Sequence, residues 1–121
     1  MSSIERVGGG PYSYSQVVVH GGVAYLAGQV AGPDGFSKPV REQIRMVFAR
    51  IDELLAGVGS DRTKMLSVTV LLKDIADFGV LNEEWDAWVD HDALPARATF
   101  QAPLATPEIL VELVVVAAVG S

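Results

Sequence analysis

The chain has no cysteine. That removes disulfides, a thiolate nucleophile and any cysteine-ligated metal from consideration. Cations are scarce: nine Lys and Arg stand against fifteen Asp and Glu, for a net charge of −6 with His neutral. Aromatic residues make up only 7% of the chain. Nucleic-acid binding needs clustered cations, usually interleaved with stacking rings, so this balance argues against it. The two histidines, His20 and His91, have no Asp/Glu spacing that suggests a metal site. Gly8-Gly9-Gly10 lacks the Lys and the helix that would make it a phosphate loop, and no Ser carries the flanking glycines of a nucleophile elbow. The longest apolar run, after Glu112, falls far short of the ~20 residues that span a bilayer. The N-terminus lacks the apolar core of a signal peptide. The expectation is a soluble cytoplasmic protein that engages neither membrane nor nucleic acid and holds no metal.

What remains is a single domain over 1–121, with half its residues hydrophobic and therefore a sizeable core. Residues 3–7 suit a short edge strand, and Gly8 to Pro11 break regular structure. Ser15 to His20 and Val23 to Ala27 are β-prone runs joined by Gly21-Gly22, the signature of a tight hairpin. Ser37 and Pro39 open a helix whose stripe runs Val40, Ile44, Val47, Phe48, Ile51, Leu54, Leu55 and Val58, with Gly57 and Gly59 as the stop. Thr63 to Leu72 predicts a strand with Leu66, Val68, Val70 and Leu72 on one face. Asp74 is placed to cap a second helix carrying Phe78, Leu81, Trp85 and Trp88, the tryptophans read as core. Pro95 ends that region, Arg97 to Gln101 is a short strand, and Ile109 to Val119 is the last one. The order is β-β-β-α-β-α-β-β. Two helices can cover one sheet face. The last strand is apolar on both faces, so the other face must also be buried, and a second copy of the chain is the expected cover.

Within that last strand, Glu112 is the only polar side chain between Ile109 and Val119. A buried carboxylate is costly unless paired, hydrogen-bonded or neutral. Arg97 is the nearest cation upstream, and no Lys or Arg follows it. The pair reads in two ways. One is a carboxylate-binding guanidinium with a Glu that positions or deprotonates water. The other is a structural ion pair. Gly28-Gln29 is either a close backbone approach to a ligand or an ordinary turn. Tyr14, with Tyr12, either lines a pocket or anchors the N-terminal segment. Asn82, among polar neighbours, reads from pattern as a solvated or locally bonded side chain.

Taken in order, Gly10-Pro11, Tyr14-Ser-Gln16, Gly28-Gln29, Glu42-Gln43, Asp77-Phe78 with Asn82, Pro95-Ala-Arg97 and Val111-Glu112 resemble the reactive intermediate deaminase (RidA/YjgF) family over nearly the whole chain. The resemblance implies a chorismate-mutase-like α+β fold, a mixed sheet with two helices on one face. It also implies a homotrimer with sites between subunits. The implied activity is cofactor-free hydrolysis of enamines and imines, such as 2-aminoacrylate and 2-iminopropionate, to a 2-keto acid and ammonia. By the same resemblance Arg97 binds the substrate carboxylate and Glu112 holds the attacking water. Tyr14, Gly28 and Asn82 border the pocket.

Two positions depart from the family pattern: Ala27 stands where Ser is usual before Gly-Gln, and Thr99 where Cys is usual after the Arg. Tyr12-Ser13 also lengthens the usual Gly-Pro-Tyr spacing. Ala27 removes a hydroxyl, which leaves room for a rival reading: a non-catalytic trimer that binds small carboxylate metabolites. Ribonuclease activity, also attributed to the family, fits the acidic charge poorly.

Overall fold

The computed structural model describes residues 3–120. Its fold is built on the last strand, β6 (Val111–Ala118), whose strict alternation sends Val111, Leu113, Val115 and Ala117 to complete burial. The strands β1 (Glu5–Val7), β2 (Val17–His20), β3 (Val23–Leu26), β4 (Met65–Leu72) and β5 (Ala96–Gln101) complete one sheet in the order β1-β2-β3-β6-β4-β5. Only β4 and β5 run parallel; every other pair is antiparallel. The Gly21-Gly22 turn joins β2 to β3, and both glycines take positive φ (60° and 77°), the geometry a two-residue hairpin requires.

Two helices cover one face, α1 (Val40–Ala56) and α2 (Phe78–Trp88). The α1 stripe behaves as its spacing predicts: Ile44, Val47, Ile51 and Leu55 are fully buried and Phe48 nearly so. Each such side chain stabilises the fold by about 1.5–3 kcal/mol on burial. From α2, Leu81, Trp85 and Trp88 enter the same core, and Trp88 stacks on Phe48 at 4.1 Å. Off the stripe, Arg41 and Arg45 reach across to Glu84, which ties the helices together. No helix among the described residues is long and apolar enough to cross a membrane.

Several local expectations differ from the structure. Ser37 makes no cap; Pro39 holds that position and no side chain bonds the first turn of α1. Asp74 accepts from Ala76 N and so caps a short 3-10 turn that leads into α2, not α2 itself. Arg62–Lys64 form another 3-10 turn, so β4 starts at Met65. A β-bulge between Met65 and Ser67 resets the alternation, which turns Leu66 outward and Met65 inward. Phe78 is 42% exposed at the open end of its stripe.

The second sheet face has no cover among the described residues. Register places Thr69, Val114 and Ala98 across the middle of that face, with Tyr25 and Phe100 toward its two sides. Tyr25 and Phe100 are each 50% exposed. Bare apolar surface of this breadth is unusual on a monomer.

Candidate active site

Glu112 lies on the uncovered face, opposite Leu71 of β4. Its carboxyl sits against Gly28, at the point where β3 gives way to the Gln29–Leu113 bridge. A Cβ on Gly28 would stand 2.9 Å from the Glu112 carboxyl carbon. Close approach of the acid to the backbone is therefore what makes residue 28 a glycine, since its φ is unremarkable for any residue. Tyr14, Ser15, Ala27, Val30, Ala105 and Ile109 complete a cavity of about 460 Å³ around the acid. Burial pushes the Glu112 carboxyl above its usual range, and among the described residues no cation is near enough to oppose that. The result is a half-buried acid with free oxygens, opening onto a cavity large enough for a small organic molecule.

Arg97 stands on the other face. It is opposite Val68 in β4, on the helix side, where edge strand β5 meets α2. One terminal nitrogen donates to Asn82 Oδ1 at 2.8 Å. The guanidinium lies over Trp85 at 5.0 Å and beside Phe78 at 5.8 Å. Burial lowers its pKa, with Asp86 partly compensating, and the group stays charged. Two residues along the same side of β5, the Thr99 hydroxyl is buried with no hydrogen-bond partner among the described residues.

The structure thus sorts the candidate residues into two half-sites. Glu112, Tyr14, Ala27 and Gly28 share one cavity. Arg97 and Asn82 are bonded to each other, with Thr99 beside them on β5. One chain does not bring the halves together. Within the protomer Arg97 and Glu112 form no ion pair, so the structural-pair reading does not hold inside one chain. The physical reason is parity: their partners on β4, Val68 and Leu71, are an odd number of residues apart and so face opposite ways.

Two contributors escaped the reading of the sequence. Trp85, assigned to the core, is buried but also forms the platform under Arg97. Gln43, noted only as part of a motif, is a fully buried amide. It donates to the carbonyls of Gly35, Lys38 and Glu108 and accepts from Leu110 N, which pins the loop entering β6 beside the Glu112 cavity. The signal was present: Gln43 is a polar residue within the apolar stripe of α1.

Comparison with known proteins bears on these halves as a whole. The sequence model described as endoribonuclease L-PSP matches residues 10–119. A RutC family protein of Haemophilus influenzae is 42% identical over 104 residues, covering 85% of this chain and 88% of its own. A 2-iminobutanoate/2-iminopropanoate deaminase of Rattus norvegicus is 33% identical over 113 residues, covering 89% and 81%. Among solved structures, a YjgF family member from Neisseria meningitidis superimposes with a TM-score of 0.91 at 35% identity, over 98% of this chain and 97% of that one. A mixed sheet with two helices on one face, read together with these relatives, shows that the chain belongs to the RidA/YjgF family, whose members are also named RutC proteins.

Proposed function

We propose that this protein hydrolyses small 2-imino acids and their enamine tautomers, in a site completed between subunits of a homotrimer. The observation that carries the reading is the Glu112 carboxyl: half-buried, without a partner among the described residues, and set over a glycine beside a cavity. A structural acid in such a place would be paired. Likeness to imine deaminases at 33% and 34% identity supports the reaction class. The uncovered apolar face supports assembly, because packing copies against it buries that face and can bring one subunit's Arg97 to its neighbour's cavity.

In this reading the guanidinium binds the substrate carboxylate in two parallel hydrogen bonds, with Asn82 and Trp85 fixing its plane. Ionised Glu112 takes a proton from water as the water oxygen bonds to the carbon of the protonated imine, and the C=N electron pair moves onto nitrogen to give a neutral carbinolamine. Glu112 returns its proton to the amino nitrogen, the C–N bond breaks as the hydroxyl oxygen forms the carbonyl, and the hydroxyl proton leaves with ammonia as ammonium. One water is consumed and one ammonia released. Alignment of water and imine supplies much of the rate enhancement. The reaction needs no redox step.

A carboxylate-binding trimer without turnover is the competing reading. Its support is the methyl group of Ala27 in the cavity wall, which offers no hydroxyl to a ligand. The deciding experiment adds freshly generated 2-iminopropionate and follows keto acid and ammonia, alongside the mass of the assembly. Turnover that is lost in Arg97→Ala and in Glu112→Gln, with the trimer intact, supports hydrolysis. Binding of pyruvate with no acceleration of ammonia release from 2-iminopropionate favours the competitor. A fully active monomer would remove the shared site.

A further inference from the structure

A second cavity lies behind the Gly28 turn, between the N-terminal segment and α1, with a volume of about 240 Å³. Its walls include Tyr12, Tyr14, Gly32 and Phe36, and its one charged group is Arg50. Among the described residues no carboxylate lines it. That is unusual in a chain of net charge −6, where Arg41, Arg45 and Arg62 all pair with acids. Arg50 instead donates its Nε–H to Gln29 Oε1 at 3.3 Å. Gln29 is only 2% exposed, and it is fixed in turn because its amide nitrogen donates to Gln16 Oε1 and to Ala27 O. The two terminal nitrogens of Arg50 have no hydrogen-bond or ion-pair partner among the described residues.

The arrangement parallels that of Arg97. Each guanidinium is held by a neutral side-chain amide and not by a carboxylate, and aromatic rings line the same site. An amide partner orients the fork without neutralising it, so the outer edge stays available to an anion. In the Arg50 cavity the rings are Tyr12 and Tyr14, stacked at 5.3 Å, with Phe36 also in the wall. Rings of this kind favour a planar body. The cavity is smaller than the ~300 Å³ at which drug-sized sites begin, which limits the occupant to about one ring.

We propose that this cavity is a binding site for a small planar carboxylate, with Arg50 as its anion receptor and Gln29 as the residue that positions Arg50. It is separate from the Glu112 cavity yet shares Tyr14, Gly28 and Val30 with it. An occupant would press on the backbone against which Glu112 rests, so it is placed to modulate that site. The proposal does not depend on the imine reaction.

The test titrates the full-length protein with benzoate and follows backbone amide resonances, with benzamide as the neutral isostere and inorganic phosphate as the non-planar anion. Benzoate should shift Gln29, Gly32 and Phe36. Benzamide and phosphate should bind there at least tenfold more weakly. Arg50→Gln, a change on an exposed helix position that keeps a good helix former, should weaken benzoate at those amides at least tenfold in a chain whose dispersed amide spectrum shows it still folded. In Arg97→Ala the Gly32 and Phe36 shifts should persist even as any shifts at Asn82 and Thr99 disappear. Equal affinity for benzamide, unchanged benzoate affinity in Arg50→Gln, or loss of the Gly32 shifts in Arg97→Ala would each overturn the proposal. The last of these would leave Arg97 as the only anion receptor.

Discussion

The two faces of the sheet are made of nearly the same residue types and have opposite fates. On β6, Val111, Leu113, Val115 and Ala117 are wholly buried beneath the helices, whereas Val114, Val116 and Ala118 remain partly exposed. Composition does not separate the two sets. Cover does: α1 and α2 supply it on one side, and nothing in the described chain supplies it on the other. The covered face accounts for the fold. The bare face carries Glu112, and it has no evident role in a monomer. Surface this apolar and an acid this poorly matched to its surroundings make physical sense together if the face is an interface with a cavity at its margin.

The largest test of that contrast compares neighbours on one strand. Val115→Asp puts an unpaired charge at a position with no exposure, and it should cost more than about 4 kcal/mol and prevent folding. Val114→Asp, one residue away on the bare face, should leave a folded chain by circular dichroism but shift its mass in sedimentation to that of a monomer. Unfolding by both variants would mean the faces are not different in kind. A normal assembly from Val114→Asp would show that the bare face is not where copies meet.

Next in size is Gly28→Ala. The new methyl would stand 2.9 Å from the Glu112 carboxyl carbon, so the acid must swing away from its position. If turnover of 2-iminopropionate depends on where that acid points, kcat should fall by about 100-fold, on the scale of losing a positioned general base, while KM changes little. An unchanged kcat would detach Glu112 from the chemistry.

Gln43→Leu addresses the support behind the cavity. It strands the Leu110 amide and the carbonyls of Lys38 and Glu108 at the entrance to β6, and leaves the Gly35 carbonyl with the Lys38 amide alone. Buried polar groups left without partners cost about 1–3 kcal/mol each when water cannot reach them. Denaturant unfolding should show a loss of a few kcal/mol. A loss under about 0.5 kcal/mol would indicate that water replaces the amide.

These cases also show what could be read from residues alone. Periods of two and of three to four residues are local, so the strands, both helices, the glycine hairpin and the lack of cover on one face all followed from spacing. The sorting of the site did not. Arg97 and Glu112 each stood out as a lone charge on an apolar segment, but which face each occupies depends on its register with β4, and register is a long-range property. The bulge at Met65/Ser67 shows the same limit: one extra residue reverses Leu66, and nothing in the alternating pattern announces it. Gln43 is a different case. The argument that singled out Glu112, a polar group where apolar ones belong, applied to it equally.

The smallest effect concerns the proton on Glu112. Burial raises its carboxyl above the ordinary value of 4.5 in the folded chain, so the folded state holds that proton more tightly than the unfolded state does. Below pH 4.5 both states are protonated and the full stability is present. As pH climbs through that value toward the raised one, the unfolded chain releases its proton first, and stability is lost. Above the raised pKa the loss is complete and does not grow further. Glu112→Gln copies the neutral form and escapes the loss. Its melting temperature should therefore exceed that of wild type slightly at pH 7, and the gap should close by pH 4. Activity should move the other way, with wild type losing turnover as pH falls through the raised pKa and the Gln variant inactive throughout. A Gln variant that melts below wild type at pH 7 would mean that the ionised carboxylate has found a partner, and Arg97 of a neighbouring subunit is the first candidate.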